Sequence, residues 1–174
     1  MKKEIGFTLV ELMITLALAA IVLSLAVPSF STMIQNNKLV TQTNDFIASL
    51  NHARSEAINR GSTVTICSSS DQVACGGAWD TGWITFVDVD GNGSLDNGTD
   101  TLLKVNQGVE GSNTINGSAN VATAVSYLNT GFTNLAANST FSICDTRGST
   151  YGHQIAISTV GRLSSSASPV SCAP

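Results

Sequence analysis

The chain is short of histidine and of cationic residues, and each shortage excludes a class of function. It has 2 histidines, His52 and His153, and 8 Lys and Arg against 12 Asp and Glu in 174 residues. Because no serine lies in a nucleophile elbow and no carboxylate pair has an acid–base setting, we expect no catalytic residues and no enzyme. The formal net charge of −4 is unfavourable for generic binding of nucleic acid, which needs Lys and Arg against phosphate.

Charge is scarcest near the amino terminus. From Phe7 to Val27 every residue is apolar, small or hydroxylic except Glu11, over about the length that a helix needs to cross ~30 Å of hydrocarbon. An unpaired carboxylate inside such a run costs about 2.5–3.5 kcal/mol or more. Glu11 is therefore a candidate functional residue. The partner that we expect is a new amino terminus at Phe7, created by cleavage after Gly6.

The residues before Phe7 allow two interpretations. Lys2 and Lys3 form a positive flank, which holds the amino end in the cytoplasm and places the rest of the chain beyond the inner membrane, in the periplasm. An ordinary secretory signal also begins with such a flank, and Ser24-Leu25-Ala26 offers it a small-residue cleavage site. A disposable signal has no reason to carry an acid in its core, so Glu11 favours a retained single-pass anchor.

The run Gly6-Phe7-Thr8-Leu9-Val10-Glu11-Leu12 resembles the cleavage and methylation signal of type IV prepilins and type II secretion pseudopilins. The resemblance implies that residues 1–6 are a leader and that a prepilin peptidase cuts between Gly6 and Phe7 and N-methylates Phe7. It also implies that Glu11 meets the Phe7 amine of a neighbouring subunit during assembly, where two buried opposite charges neutralise each other. Before assembly the subunit would be held in inner-membrane lipid and would then pass to an inner-membrane assembly platform.

A second helical pattern follows the apolar run. Pro28 has no N–H, so we expect a continuous helix that kinks there, as in the family; a second helix that begins at Pro28 is the alternative. From Ser29 to Arg60 apolar residues recur at helical spacing, and Gly61 is a usual stop. We therefore divide the helix into a membrane or filament-core half, 7–28, and an amphipathic half, 29–60. The expected apolar face of the second half comprises Phe30, Met33, Ile34, Val40, Ile47, Leu50, Ala57 and Ile58.

Residues 61–174 form a separate head in which short β-type runs alternate with Gly, Asn, Ser and Asp. Two-residue alternation within these runs predicts antiparallel sheets with one buried face, which receives the apolar stripe of the helix. The fold class is therefore α+β. The predicted strands are Thr63–Cys67, Trp83–Val89, Thr101–Val105, Ala124–Leu128, Thr140–Cys144 and Gln154–Ser158.

All four cysteines lie in the head, behind a membrane segment, which predicts two disulfides in an oxidising compartment. Four cysteines allow three pairings. Cys67 with Cys75, and Cys144 with Cys172, are favoured because each pair closes a local loop. A zinc site is not expected, because the spacing of Cys67 and Cys75 is too long for a knuckle and no second close pair exists.

The head resembles the GspH/FimT minor pilins and pseudopilins. The resemblance lies in the helix end Ala53-Arg54-Ser55-Glu56-Ala57-Ile58-Asn59-Arg60-Gly61, in Val64–Cys67, in Trp79, in Gly82–Phe86, in Asp88–Asp90, in Phe141–Asp145 and in Gly161-Arg162. It implies a pilin-like fold, with a long helix packed on a two-sheet β domain. It also implies a low-abundance subunit that initiates or caps a pilus, with other major and minor pilins or pseudopilins as partners. A GspH-type pseudopilin of a type II secretion system and a DNA-binding minor pilin for natural transformation are the alternatives.

The loop that begins at Asp88 matches a calcium-binding pattern in part. It offers oxygen ligands at positions 1, 3, 5 and 9, namely Asp88, Asp90, Asn92 and Asp96, with glycine at position 6. Position 12 is Thr99 instead of the bidentate glutamate, so calcium binding would be weak. A solvated acidic hairpin turn is the alternative, and no other cofactor is expected.

Three cations near or in the head are candidate DNA contacts. Arg162 follows Gly161, as in the Gly-Arg-x-Arg signature that in some relatives is linked to DNA capture, but Ser164 stands at the second arginine position. Arg147 and Lys104 could join Arg162 in a small basic patch. The alternative is that Arg162 caps a strand or pairs with an aspartate.

Overall fold

The computed structural model describes residues 6–167 and 170–172, so the expected leader, apart from Gly6, lies outside the described residues. A single α-helix and eight strands make up these residues, together with three short 3-10 helices. Contacts divide the chain into two units, one ending at Lys38 and one beginning at Leu39. The elements are α1 (Leu9–Arg60), β1 (Val64–Ser68), β2 (Gly82–Val87), β3 (Thr101–Gln107), β4 (Thr114–Gly117), β5 (Ala124–Tyr127), β6 (Ser139–Cys144), β7 (His153–Ile157) and β8 (Leu163–Ala167).

Helix α1 has local signals at both ends. At its start the Glu11 amide donates to Thr8 Oγ1 at 3.2 Å, which is the usual side-chain cap of a helix amino terminus. At its end Gly61 has φ +65°, and the Ser62 amide donates to the Ala57 carbonyl at 3.3 Å, as in a Schellman motif. Pro28 lies inside the helix, so the alternative of a second helix beginning there is wrong.

The first unit presents its apolar side chains to the surroundings. Helix α1 is long and apolar enough there to cross a membrane, and its most apolar stretch has no buried residues. Phe7, Leu25 and Phe30 are among the exposed apolar residues of this unit. This unit must therefore be covered by lipid or by other subunits, because its apolar surface would otherwise aggregate in water.

The head consists of two antiparallel four-stranded sheets. The first has the strand order β3-β2-β1-β5 and the second has the order β4-β6-β7-β8. Strands β4 and β8 are absent from the sequence prediction. Thr114–Gly117 has only four residues and Leu163–Ala167 is rich in serine, so neither has the β-branched alternation that marks a strand. The predicted α+β architecture with two sheets is confirmed.

The helix face that is buried in the head differs from the expected one. Leu50 and Ala57 are buried as expected, but Val40 and Ile58 are exposed and Ile47 is only half-buried. Small residues let the helix lie close to the sheets, because Ser49 and Ala53 are also buried. Phe30, Met33 and Ile34 of the expected stripe remain exposed in the first unit. The buried face comprises Leu39, Gln42, Thr43, Phe46, Ser49, Leu50, Ala53 and Ala57.

Phe46 joins this helix face to the core. Its ring lies edge-on to Trp79, Trp83 and Phe141, with centroid distances of 5.4, 5.1 and 4.9 Å. The Trp79 indole N–H donates to the Val121 carbonyl at 3.0 Å, so this large side chain is buried with its polar atom satisfied. The two tryptophans are therefore core residues and not a stacking platform for a ligand.

The first sheet is buried on both faces in its middle, which corrects the expectation of one buried face. All five residues of β1 are buried. One face joins the helix, whereas Cys67, Ile84 and Phe86 form a second cluster with the half-buried Cys75. Cys67 and Cys75 form a disulfide, as do Cys144 and Cys172, which are the two pairings favoured from the sequence. The first disulfide thus fixes the loop that covers the second cluster.

Candidate functional site

Glu11 lies in the first turn of α1, at an exposed position among exposed apolar residues. Thr8 and Glu11 have the spacing of a capping box. Glu11 therefore also has a structural role at the start of the helix, which the pairing hypothesis does not include. The first-turn position is favourable for a carboxylate, because the amino-terminal end of a helix carries partial positive charge. Phe7 precedes the helix and is also exposed, with 75% of its surface accessible. Both groups of the expected assembly contact are therefore open to a neighbouring subunit.

The acidic loop brings three carboxylates together. Oxygen atoms of Asp88, Asp90 and Asp100 all lie within 4.8 Å of one another. Since Ca²⁺ binds oxygens at about 2.3–2.6 Å, one ion could contact all three. The expected ligand Asp96 lies outside this group of carboxylates. The Asn92 side-chain amide donates to Asp90 at 2.9 Å and to Asp96 at 2.6 Å. Asp100, one residue beyond the twelfth loop position, is the third carboxylate of the group.

The same carboxylates hold the backbone of the loop. Asp88 is 1% exposed and accepts hydrogen bonds from Thr65 Oγ1 at 2.7 Å and from the amides of Asn92 and Gly93 at 3.1 and 3.0 Å. Asp100 accepts from the Val89 amide at 3.0 Å. The loop therefore has the hydrogen bonds of a self-supported acidic turn, which is the second interpretation from the sequence.

The three candidate DNA contacts lie on separate elements. Arg147 donates Nε and Nη2 to Asp145 at 2.8 and 2.6 Å, and its guanidinium lies 4.2 Å from the ring centre of Tyr151. Lys104 lies on β3, an edge of the first sheet, whereas Arg162 directly precedes β8, an edge of the second sheet.

Burial and hydrogen bonding act in opposite directions on the Asp145 carboxyl. Burial raises its pKa, but the hydrogen bonds from the Arg147 side chain and amide, with the charge of that guanidinium, outweigh burial, so the pKa of Asp145 is lowered. The carboxylate form is thereby stabilised against its desolvation. Arg147 is therefore committed to a structural pair beside the Cys144–Cys172 disulfide.

Arg54 is a cation whose contacts we did not predict from the sequence. It donates Nε to the Gly131 carbonyl at 2.9 Å and Nη2 to the Val160 carbonyl at 3.1 Å, and so joins α1 to two loops of the head. Gly161 has φ +76°, and a Cβ there would collide with the Gly131 carbonyl and approach Arg54 Nε. A signal was present, because Ile47, Asn51 and Arg54 recur at four- and three-residue spacing on one helix face.

These residues form one wall of a cleft. Ile47, Asn51 and Arg54 of α1 face residues 162–165 across a volume of about 270 Å³. The Arg162 side chain is exposed and has no hydrogen bond or ion pair within the described part of the chain. Arg162 thus lines the same cleft as Arg54, whereas Arg147 and Lys104 are not among the residues that line it.

Comparison with known proteins agrees with this fold. Residues 42–161 match the family model described as type II transport protein GspH, and residues 1–27 match the prokaryotic N-terminal methylation motif. The crystal structure of the type IV minor pilin FimU from Pseudomonas aeruginosa PAO1 is 22% identical, with a TM-score of 0.66; the match covers 81% of this chain and 99% of that one. The minor pseudopilin EpsH from the type 2 secretion system of Vibrio cholerae is 14% identical, with a TM-score of 0.52 and coverage of 75% and 97%.

At these identities the two structures show the fold. A search of curated proteins found no match. The family model, in contrast, matches more than half of the chain. This protein therefore belongs to the family described as type II transport protein GspH.

Proposed function

We propose that this protein is a minor type IV pilin that helps to initiate or cap a pilus. The observation that carries the proposal is that the first unit leaves its apolar side chains from Phe7 to Ile34 uncovered, whereas the second unit has a closed core of its own. A surface of this kind is stable only in lipid or against similar helices. An anchored subunit that later enters a helical filament meets both conditions in turn.

Glu11 supplies the directional element of this proposal. Apolar helices packed in a bundle slide past one another at small cost, because packing between apolar side chains is not directional. A carboxylate amid apolar side chains costs several kcal/mol unless it meets a cation, so it selects the one register that brings a cation to it. After cleavage by prepilin peptidase, the methylated amine of Phe7 in a neighbouring subunit is that cation. The assembly platform would present the subunit from the inner membrane, with the head in the periplasm.

A GspH-type pseudopilin of a type II secretion system is the second candidate, and the match of residues 42–161 to the GspH family model supports it. The match to FimU, with a TM-score of 0.66 over 81% of this chain, is better than the match to EpsH, with a TM-score of 0.52 over 75%, and favours the pilus. Neither assignment requires catalysis or a cofactor. DNA capture is not part of this proposal, because Arg147 is paired with Asp145, and Lys104 and Arg162 lie at the edges of different sheets.

Two measurements test the proposal. The first is the mass of the amino-terminal peptide after expression with a prepilin peptidase, which should begin at Phe7 with one added methyl group. The second is recovery of Glu11→Ala in sheared filaments, where we expect normal insertion and cleavage but loss of incorporation. Thr15→Ala is the matched control, since Thr15 is a polar residue of the same apolar run whose hydroxyl bonds only within the helix, to the Leu12 carbonyl at 2.9 Å.

Deletion in the host then separates the two assemblies. Loss of surface pili with normal protein secretion supports a minor pilin, whereas loss of secretion with normal pili supports a pseudopilin. A mature chain that starts after Ala26 and is free of lipid would contradict both. Incorporation of Glu11→Ala at the native level would contradict the pairing role alone.

A further inference from the structure

The cleft between α1 and β8 concentrates positive charge in an acidic protein. Its lining includes Arg54 and Arg162 and no acidic residue. Arg54 commits Nε and Nη2 to carbonyl groups, whereas its Nη1 and the whole Arg162 guanidinium have no hydrogen bond within the described part of the chain. Two guanidinium groups with free N–H donors at one cleft are suited to a bidentate carboxylate or phosphate ligand.

The volume of the cleft limits what can enter it. At about 270 Å³ it is smaller than the roughly 300–1,000 Å³ of most small-molecule pockets. Ile47 and Leu163 add apolar surface beside the two arginines. The cleft is therefore suited to one anchoring side chain with part of its backbone, and not to a cofactor.

Within the described part of the chain, strand β8 gives the cleft an unpaired backbone edge. It pairs with β7 on one side and is the last strand of its sheet. The Ser158 amide donates to the Arg162 carbonyl at 3.0 Å, and Ile157 lies opposite Leu163. Because hydrogen-bonded and non-hydrogen-bonded pairs alternate along antiparallel strands, the N–H and C=O groups of Leu163 and Ser165 point away from β7, towards the free side.

We infer that this cleft docks an extended segment of a neighbouring pilin-family subunit that carries an Asp or Glu. The segment pairs with the free edge of β8 and places its carboxylate between Arg54 and Arg162. This inference rests on the proposed function, because it takes the neighbour to be a subunit of the same filament. It adds a contact through the head to the contact through Glu11 and the helix.

Nucleic acid is the competing ligand, and the structure favours peptide over it. A duplex gains affinity by contacting many phosphates in a row, whereas this cleft offers two cations in a chain of net charge −4. A strand edge can pair with a peptide backbone and cannot do so with a phosphate backbone. The edge of β8 beside Arg162 therefore favours a peptide, whose backbone can satisfy both its N–H and its C=O groups, whereas phosphate oxygens can accept only from the N–H groups.

Fluorescence anisotropy with the full chain in detergent micelles tests the inference. The probe is a blocked, labelled peptide of alternating Thr and Val with one central Asp, and its twin carries Asn instead. A short DNA duplex is the second probe. The variants are Arg162→Gln, Lys104→Gln as a matched loss of charge on the other sheet, and Ser165→Pro, which removes an outward N–H from an edge strand where proline is tolerated. Circular dichroism checks that each variant is folded.

We expect Arg162→Gln to weaken binding of the Asp peptide about tenfold or more, the range of a lost charge-assisted hydrogen bond. Lys104→Gln should leave binding within about twofold, since exposed remote charges contribute little. The Asn twin should bind the native protein more weakly than the Asp peptide, and Arg162→Gln should reduce this preference, because only Arg54 then remains to favour the carboxylate. Ser165→Pro should weaken both peptides.

Three results would overturn the inference: equal binding of the Asp and Asn peptides, no binding at millimolar peptide, or tighter Arg162-dependent binding of the duplex than of the Asp peptide. None of them bears on the filament function. That function is tested by the Phe7 terminus and by Glu11→Ala, and Arg162→Gln retains both sites.

Discussion

Replacement of Phe46 by alanine should release the helix from the head. The Phe46 side chain is 0% exposed and its ring contacts three other aromatic rings. Truncation of a buried Phe costs about 3–5 kcal/mol, and each edge-on pair contributes about 0.5–1.5 kcal/mol beyond its area. We therefore expect a loss in the upper part of that range, about 4–5 kcal/mol. This is a large fraction of the roughly 5–15 kcal/mol that stabilises an ordinary domain.

Urea unfolding of the full chain in mild detergent, followed by tryptophan fluorescence, measures this loss directly, because both Trp79 and Trp83 contact Phe46. Phe132→Ala is the matched control: the same truncation at a residue that is 51% exposed should cost less than about 1 kcal/mol. Phe46→Leu should fall between the two, since it keeps the apolar volume and loses the ring contacts. A loss for Phe46→Ala no larger than that for Phe132→Ala would refute the role of the aromatic cluster.

Three further changes test the head. Gly161→Ala should destabilise the protein by more than the ~1–3 kcal/mol cost of a left-handed non-glycine residue, because the new Cβ meets the Gly131 carbonyl. Gly148→Ala, at φ +88° with open space around it, measures the backbone cost alone. Equal losses for the two variants would contradict the steric argument. Arg147→Gln should cost about 1.5–3 kcal/mol at neutral pH. The pKa of Asp145 lies below its ordinary value of 3.8, so the stability from its carboxylate is present above that value and is lost as pH falls through the lowered pKa. The free energies of unfolding of the native protein and of Arg147→Gln should therefore converge in acid. A difference between them that does not depend on pH would count against the pair. Removing the Cys144–Cys172 disulfide, with sequence separation 28, should cost about 3.6 kcal/mol in chain entropy, and removing Cys67–Cys75, with separation 8, about 2.5 kcal/mol. Calorimetry of the two double serine variants checks this order, after allowance for the burial of Cys67.

The sequence predicted most of what depends on neighbouring residues. The end of the helix at Arg60 followed from Gly61, and six of the eight described strands followed from two-residue alternation. The membership of the GspH family was also foreseeable, because its motifs are short and local. Of the two strands that were missed, β4 is short and ends in Asn-Gly, and β8 has no β-branched residue; pairing with β6 and β7 holds them in the sheet.

By itself the sequence determined the apolar run, the lone Glu11 within it and the glycine–phenylalanine junction before it, since each is a property of residues close together in the chain. Only the tertiary structure decided which helix residues are buried, that Asp100 joins Asp88 and Asp90, and that Arg54 lies at the same cleft as Arg162. The reason is physical. Phe30 and Phe46 are the same residue type in one continuous helix, and they differ because residues from distant parts of the chain pack on Phe46, whereas Phe30 is exposed.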